Sequence, residues 1–290
     1  QMQTADPENE RAIAMKKMIL ITGASSGIGR STAIRLAEEG HMVFAAARRL
    51  ERLTELAGEA KGTIVPVEMD VRDPVSVRKA VDTVAETAPD GLDVLINNAG
   101  YALTAPMETV STEDVRAQFE TNVIGLFDVT RAFLPQMRAR RSGRVINISS
   151  MLGEITIPGS GIYGGTKHAI EAMSDALRME VEQFGIKVVV VQPSFVGTEI
   201  DVTGHMLSNG GGMEDYAELE RQLTAYLEKQ IENAVSPEVV AECIARASVA
   251  SRPKARYVTP ARERFVLGML TTLPTRLTDR LKLRLVRTAA

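Results

Sequence analysis

Six short apolar runs, four to six residues each, recur between amphipathic stretches of helical length, and this alternation most constrains the fold. The runs are Met18–Thr22, Met42–Ala46, Ile64–Glu68, Val94–Asn97, Arg144–Ile148 and Lys187–Gln192. A run apolar on both faces is what a strand covered on both sides requires. Between them lie helical patterns at Arg30–Glu39, Leu50–Ala60, Val75–Thr87, Thr112 to about Arg138 (capped by Ser111) and Gly161–Phe184. Strands and helices alternating at this length imply right-handed crossovers and a parallel sheet with helices on both faces. The expected class is a doubly wound parallel α/β sheet in a single domain.

The chain of 290 residues, 44% hydrophobic and 24% charged, can bury a full core. Its formal charge of −3 gives no reason to invoke nucleic acid, and its one cysteine, Cys243, rules out an intrachain disulfide and points to a reducing, cytoplasmic setting. Three scattered histidines make no metal cluster, and no apolar run reaches the 18 or so residues that a membrane span needs. Residues 1–14 are polar and aperiodic and are read as a flexible leader or expression remnant. After Gln192 the rhythm breaks. Pro193 to Met213 is loop-like, Glu214–Glu232 and Pro237–Ala250 look helical, and a last strand is expected at Arg256–Thr259. Ligands of open α/β sheets bind outside the carboxyl ends of the strands. The expectation is therefore a catalytic domain over 15–260, with 193–235 as a substrate lid, and an extension over 261–290.

Two features carry chemistry. The strand Met18–Thr22 runs straight into Gly23-Ala24-Ser25-Ser26-Gly27-Ile28-Gly29 and then a helix. Glycines let the backbone approach a pyrophosphate, and the helix start offers free N–H groups and a partial positive charge. The bland alternative is a tight turn. Tyr163 and Lys167, four apart, share a helix face if the segment is helical. A nearby ammonium favours the phenolate, but lowering a tyrosine pKa from about 10 by about three units needs roughly 4 kcal/mol, available only in a partly desolvated site.

With Thr22-Gly-Ala-Ser-Ser-Gly-Ile-Gly29, Asn97-Asn-Ala-Gly100, Asn122, and Ser150 thirteen residues before Tyr163-x-x-x-Lys167, the chain resembles the short-chain dehydrogenase/reductase family from about Lys17 to Thr198. More specifically, it is similar to NADP-dependent hydroxysteroid- and retinol-type members. The resemblance implies a Rossmann fold and four catalytic residues. Tyr163 would be the general acid or base, and Ser150 would hydrogen-bond the substrate oxygen. Lys167 would lower the Tyr163 pKa and hold the nicotinamide ribose, and Asn122 would hold a water linking Lys167 to solvent. It also lays Gly23, Ser25, Ser26, Gly27, Ile28, Gly29, Val71, Asn98, Ala99, Gly100, Pro193, Val196 and Thr198 along the cofactor, with Asp70 on the adenine amino group. Ser149 competes with Ser150, Asn122 could cap or kink its helix, and Asn97 and Asn98 could simply bond backbone between strands. His168 is read as packing or surface. Ser194 and the pair Gly164-Gly165 depart from the family pattern, and the glycines imply a looser start to the Tyr163 helix.

Cofactor choice follows from the second strand. It ends Ala45-Ala-Ala47 and continues Arg48-Arg49, with Ala47 where an acidic residue would select NAD. A guanidinium there suits a 2′-phosphate, so NADP(H) is expected, contacted by Arg48 and Ser25, while Arg49 could be merely solvated. Met151, Leu152, Ile155, Phe195 and Met206 suggest an apolar pocket for a lipophilic alcohol or ketone; ordinary core packing is the alternative. From Arg252 onward ten Lys/Arg face two acidic residues, a net +8. The leucine-rich stretch Glu263–Val286, interrupted by Pro274, is expected to pack on the domain or a second subunit, with contact to an anionic membrane as the other reading. A homodimer or homotetramer is implied by resemblance. Two rivals stay open: a catalytically silent NADP-binding sensor or scaffold, and a reductase of carrier-bound β-ketoacyl groups.

Overall fold

The computed structural model describes residues 16–197 and 213–289. The 1–14 leader and the expected contacts Thr198 and Met206 lie outside these. Seven strands, β1 (Met18–Thr22), β2 (Met42–Ala47), β3 (Thr63–Glu68), β4 (Val94–Asn97), β5 (Gly143–Ile148), β6 (Ile186–Pro193) and β7 (Arg256–Thr259), form one parallel sheet in the order β3-β2-β1-β4-β5-β6-β7. The helices before β6 are α1 (Gly27–Glu38), α2 (Leu50–Glu59), α3 (Pro74–Thr87), α4 (Thr112–Phe119), α5 (Gly125–Arg140) and α6 (Gly161–Val181). Among the described residues four follow it: α7 (Ala217–Glu232), α8 (Pro237–Val249), α9 (Glu263–Thr272) and α10 (Thr275–Arg287). The expected doubly wound class and nearly all element positions hold.

Side chains alternate across each strand, so the sheet is buried on both faces. Ile19 and Ile21 join one apolar cluster with Leu36, Leu53 and Ile244, whereas Leu20 joins another with Phe44, Leu95 and Phe133. The chain winds outward from β1 to β3, then returns to β4 and winds the other way. The loops leaving β1 and β4 therefore diverge at the carboxyl edge and open a crevice. Thr22 fastens this point: its Oγ1 accepts from the amides of Asn98 and Ala99 at 3.0 and 2.9 Å, and Asn98 Nδ2 donates back to Thr22 O at 2.9 Å. Asn97 plays the interstrand role that its sequence left open, with Nδ2 donating to Asn147 Oδ1 on β5 and to Thr130 Oγ1 on α5, both at 2.9 Å.

Two elements differ from expectation. α1 begins at Gly27, inside the glycine motif, because Gly29 is pressed against the loop; a Cβ there would lie 2.4 Å from Gly23 O. The single helix expected from Thr112 is α4 and α5 joined by a π-helical turn, Glu120–Ile124, that contains Asn122. At Gly125, directly after it, a Cβ would lie 2.8 Å from Val71 Cγ2, so the chain crosses β3's exit loop too closely for a side chain. The C-terminal stretch is two helices, broken where the sequence places its interruption, because Pro274 ends one and caps the next.

α6 runs unbroken through both Gly164 and Gly165, the pair expected to loosen its start. Gly164 is packed, with a Cβ meeting Thr156 Cγ2 at 3.1 Å, whereas at Gly165 the nearest atom is Phe119 Cζ at 3.7 Å. Gly165→Ala is expected to stabilise the protein by about 0.5–1 kcal/mol through helix propensity, and Gly164→Ala to give no gain. Urea unfolding of the two variants checks this; equal shifts would contradict the packing difference.

Candidate active site

The Tyr163–Lys167 pair sits on the first turns of α6, beside the end of β5. Lys167 Nζ lies 5.5 Å from the Tyr163 ring centroid and donates to Ile148 O at 2.9 Å. The ammonium is buried. Desolvation lowers its pKa from the ordinary 10.5 to about 8, while Glu171, one turn further along α6, pulls the other way. Glu171 is itself buried and held from two strands, by Gln192 Nε2 of β6 at 2.9 Å and Arg256 Nε of β7 at 3.0 Å. Arg256 also grips Asp175 at 2.7 Å, and Gln192 reaches Glu154 at 2.5 Å, in the loop after Ser150. One polar network thus joins α6, β6, β7 and the serine loop.

Ser150 caps the short turn Met151–Gly153, its Oγ accepting from Leu152 N at 3.1 Å. Its rival Ser149 has a buried hydroxyl without a partner among the described residues. Asn122 neither caps nor hangs free. Its Oδ1 accepts from Tyr101 N at 3.0 Å, and its Nδ2 donates to Tyr101 O at 2.9 Å and Thr166 Oγ1 at 3.1 Å. The wide turn thereby clamps the loop after β4 to the Tyr–Lys helix. His168 is exposed, its Nδ1 2.9 Å from Gly164 O, as a surface residue would be.

At the other end, Ser26 stands at the N-cap of α1 with no side-chain capping bond, so that helix start keeps donors for a ligand. Arg49, for which the sequence leaves a merely solvated role open, donates from Nη2 to Ser25 Oγ at 3.2 Å, which brings both of them together at the end of β2. Asp70 is bound by Arg72 through Nη2–Oδ2 at 2.8 Å and Nε–Oδ1 at 3.1 Å. These bonds hold its carboxyl below the usual range.

One cleft of about 840 Å³ joins the two ends. Gly23, Ser25, Ser26, Ile28, Arg48, Asp70, Val71, Asn98, Ala99 and Gly100 border it on one side, and Ser150, Tyr163, Lys167, Pro193 and Val196 on the other. Gly27, Gly29 and Asn122 do not; they shape the loop and turn from behind. The apolar residues Met151, Leu152, Ile155 and Phe195 line the remainder, joined by Leu223 and Tyr226 of α7 and by Val266, Leu270 and Leu285 of the two C-terminal helices. The glycine loop, the uncapped helix start and the paired arginines at one end, with the buried lysine at the other, fit an extended phosphate-bearing dinucleotide.

A short chain dehydrogenase family model matches residues 17–205. The chain belongs to that family. It is 36% identical over 240 residues to a 3-ketodihydrosphingosine reductase of Bacteroides thetaiotaomicron, covering 83% of this chain and 86% of that one. It is 34% identical to an NADPH-dependent 3-dehydrocapnine reductase of Ornithobacterium rhinotracheale, covering 90% and 94%. A solved short-chain dehydrogenase from Streptomyces avermitilis superposes with a TM-score of 0.78 at 32% identity, covering 93% and 98%. The chain is thus an oxidoreductase acting on C=O or CH–OH groups, as members of this short-chain dehydrogenase family do.

The Arg72 clamp, the Glu171–Gln192–Arg256 network and the lining from α9 and α10 are not anticipated from sequence, and α7 falls in the 193–235 stretch expected as a lid, although its lining residues Leu223 and Tyr226 are not named there. Only Glu171 had a legible signal, its spacing of four from Lys167. Because unfolded lysine keeps its proton to about pH 10.4, Lys167 makes folding more favourable as pH rises from about 8 toward 10.4, the range in which only the unfolded chain holds the proton. Lysine-selective NMR should show one ammonium titrating near pH 8, and lower still in Glu171→Gln, which removes the supporting anion. A Lys167 resonance titrating above pH 10 would contradict this electrostatic picture.

Proposed function

We propose that this short-chain dehydrogenase uses NADP(H) to interconvert a carbonyl and an alcohol on a lipophilic substrate. The observation that carries the reading is the single cleft with arginines at its nucleotide end, Ser150, Tyr163 and Lys167 in the middle and an apolar wall beyond. Arg48 and the Arg49–Ser25 pair supply the cationic, hydrogen-bonding environment that a 2′-phosphate needs. The Ornithobacterium relative is named as NADPH-dependent, and both reductases are named for substrates with a 3-keto or 3-dehydro centre. A nicotinamide held in this cleft would supply hydride-transfer chemistry at the substrate carbon.

The chain's own residues handle the proton and the charge. The Tyr163 hydroxyl donates a proton to the substrate oxygen in reduction and takes it back in oxidation. Since Ser150 Oγ already accepts from Leu152 N, its own hydrogen is free to point at that oxygen and stabilise developing negative charge. Lys167 spends one of three donors on Ile148 O, which leaves two for the ribose hydroxyls, and its charge favours the phenolate. Below about pH 8 that charge is present; above it the effect fades. Both Nδ2 hydrogens of Asn122 are taken, and its Oδ1 accepts one bond, so a relay water at Asn122 would be held through the remaining Oδ1 lone pair or by main chain of the π-helical turn.

Phe195 and Tyr226, ring to ring at 6.1 Å and 80°, with Leu223, form the described part of the lid. Exposed Ile124 and Phe127 near the start of α5, and Met179 on α6, support pairing of subunits through these helices. A single buried cysteine suits a reducing cytoplasmic setting.

Purified protein should oxidise NADPH with members of a panel of lipophilic ketones. Tyr163→Phe should lower kcat by about 10³-fold with NADP affinity retained. Arg48→Asp and Arg49→Asp should each shift preference toward NADH by about 10- to 100-fold, the worth of one charge-assisted contact. NADP binding without turnover across a broad panel would favour a sensor, and a native preference for NAD would overturn the cofactor assignment.

A further inference from the structure

We propose that the C-terminal helix pair docks the protein on an anionic phospholipid bilayer, with the mouth of the cleft against the lipid. α10 is anchored to the domain along a narrow inward face. Thr278 and Val286 are buried, and the Lys282 side chain between them is 14% exposed. At about 100° per residue, Leu277, Leu281 and Leu285 form a separate stripe roughly 100° around the helix, and they are 44%, 36% and 55% exposed. The leucine stripe that the sequence assigns to packing is therefore left largely outside. In α9 only Leu267 is buried, while Phe265 is 80% exposed and Val266 and Met269 are each 40% exposed. Scattered exposed apolar residues need no explanation, but this many on two successive helices at one cleft do.

Val266 and Leu285 also line the cleft, so this apolar surface is continuous with the cavity. Charge selects the occupant. Arg280 and Arg284 flank the leucine stripe on its outer side, Arg276 and Arg287 lie beyond them, and Arg264 adjoins Phe265; all are exposed. An interfacial helix buries its apolar stripe at the acyl boundary while arginines reach the phosphates. A second copy of the chain fits poorly, because a two-fold contact would set one net +8 tail against another. Docking needs no chemistry at the active site; only the corollary, that substrate enters from the bilayer through the apolar mouth, rests on the lipophilic-substrate reading.

The test is flotation of the full chain with phosphatidylcholine vesicles containing phosphatidylglycerol, against phosphatidylcholine alone. Native protein should float with the anionic vesicles only and be released by high salt. The triple variant Arg276→Glu/Arg280→Glu/Arg284→Glu, and separately Phe265→Ser/Leu281→Ser, should each partition at least about tenfold more weakly. Unchanged thermal melting and NADP binding would show that both variants are folded. Native protein that does not float, variants that float equally well, or substitutions that change only the oligomer mass in sedimentation would each overturn the proposal, the last in favour of a second copy. Flotation that persists in a protein without reductase activity would sustain the docking and reject only the catalytic reading.

Discussion

The burial of one ammonium group constrains more of this structure than any other interaction. A drop in the Lys167 pKa from 10.5 to about 8 corresponds to about 3 kcal/mol of disfavoured charge, and the fold offsets part of it with specific groups. Ile148 O at the end of β5 accepts a hydrogen bond from the ammonium, and Glu171 supplies an opposite charge one turn away. Glu171 would be costly in turn if left alone, so Gln192 and Arg256 bind it from β6 and β7. A half-satisfied buried network is worse than an apolar core. Four elements distant in sequence are thus tied to one position of the Lys167 side chain, and with it to Tyr163.

The second constraint is topological. Because the strand order reverses between β1 and β4, a crevice opens where the glycine loop and the Asn98-Ala99-Gly100 loop part. Thr22 and Asn98 hold the two lips at fixed separation, while the π-helical turn at Asn122 holds the Asn98 side to α6. The glycine-loop end and the Tyr163–Lys167 end are therefore set against each other by hydrogen bonds from short Thr and Asn side chains rather than by long flexible ones, which is what a precisely positioned site demands.

The C-terminal helices complete the picture in a less regular way. They wall the cleft with Val266, Leu270 and Leu285, yet use only Leu267, Thr278 and Val286 as buried anchors. A wall held by so few buried residues is marginal by itself, since each helix must bury an apolar face to repay its ordering. Their position at the cleft mouth and their exposed leucines belong to the same arrangement.

The sequence by itself determined the doubly wound sheet, because runs apolar on both faces between helical patterns have few other solutions. It also determined the Gly23–Gly29 loop and the Ser150, Tyr163 and Lys167 constellation, whose spacings are local to one strand end or one helix face. Tertiary structure alone decided that Arg49 turns onto Ser25, that Arg72 clamps Asp70, and that Arg256, 89 residues beyond Lys167 in the numbering, supports its anionic neighbour. It also decided that the leucines of α10 face outward. Periodicity shows that a helix has an apolar side; which side the domain covers depends on the shape of the surface it meets, and here Thr278 and Lys282 fitted that surface better than the leucines did.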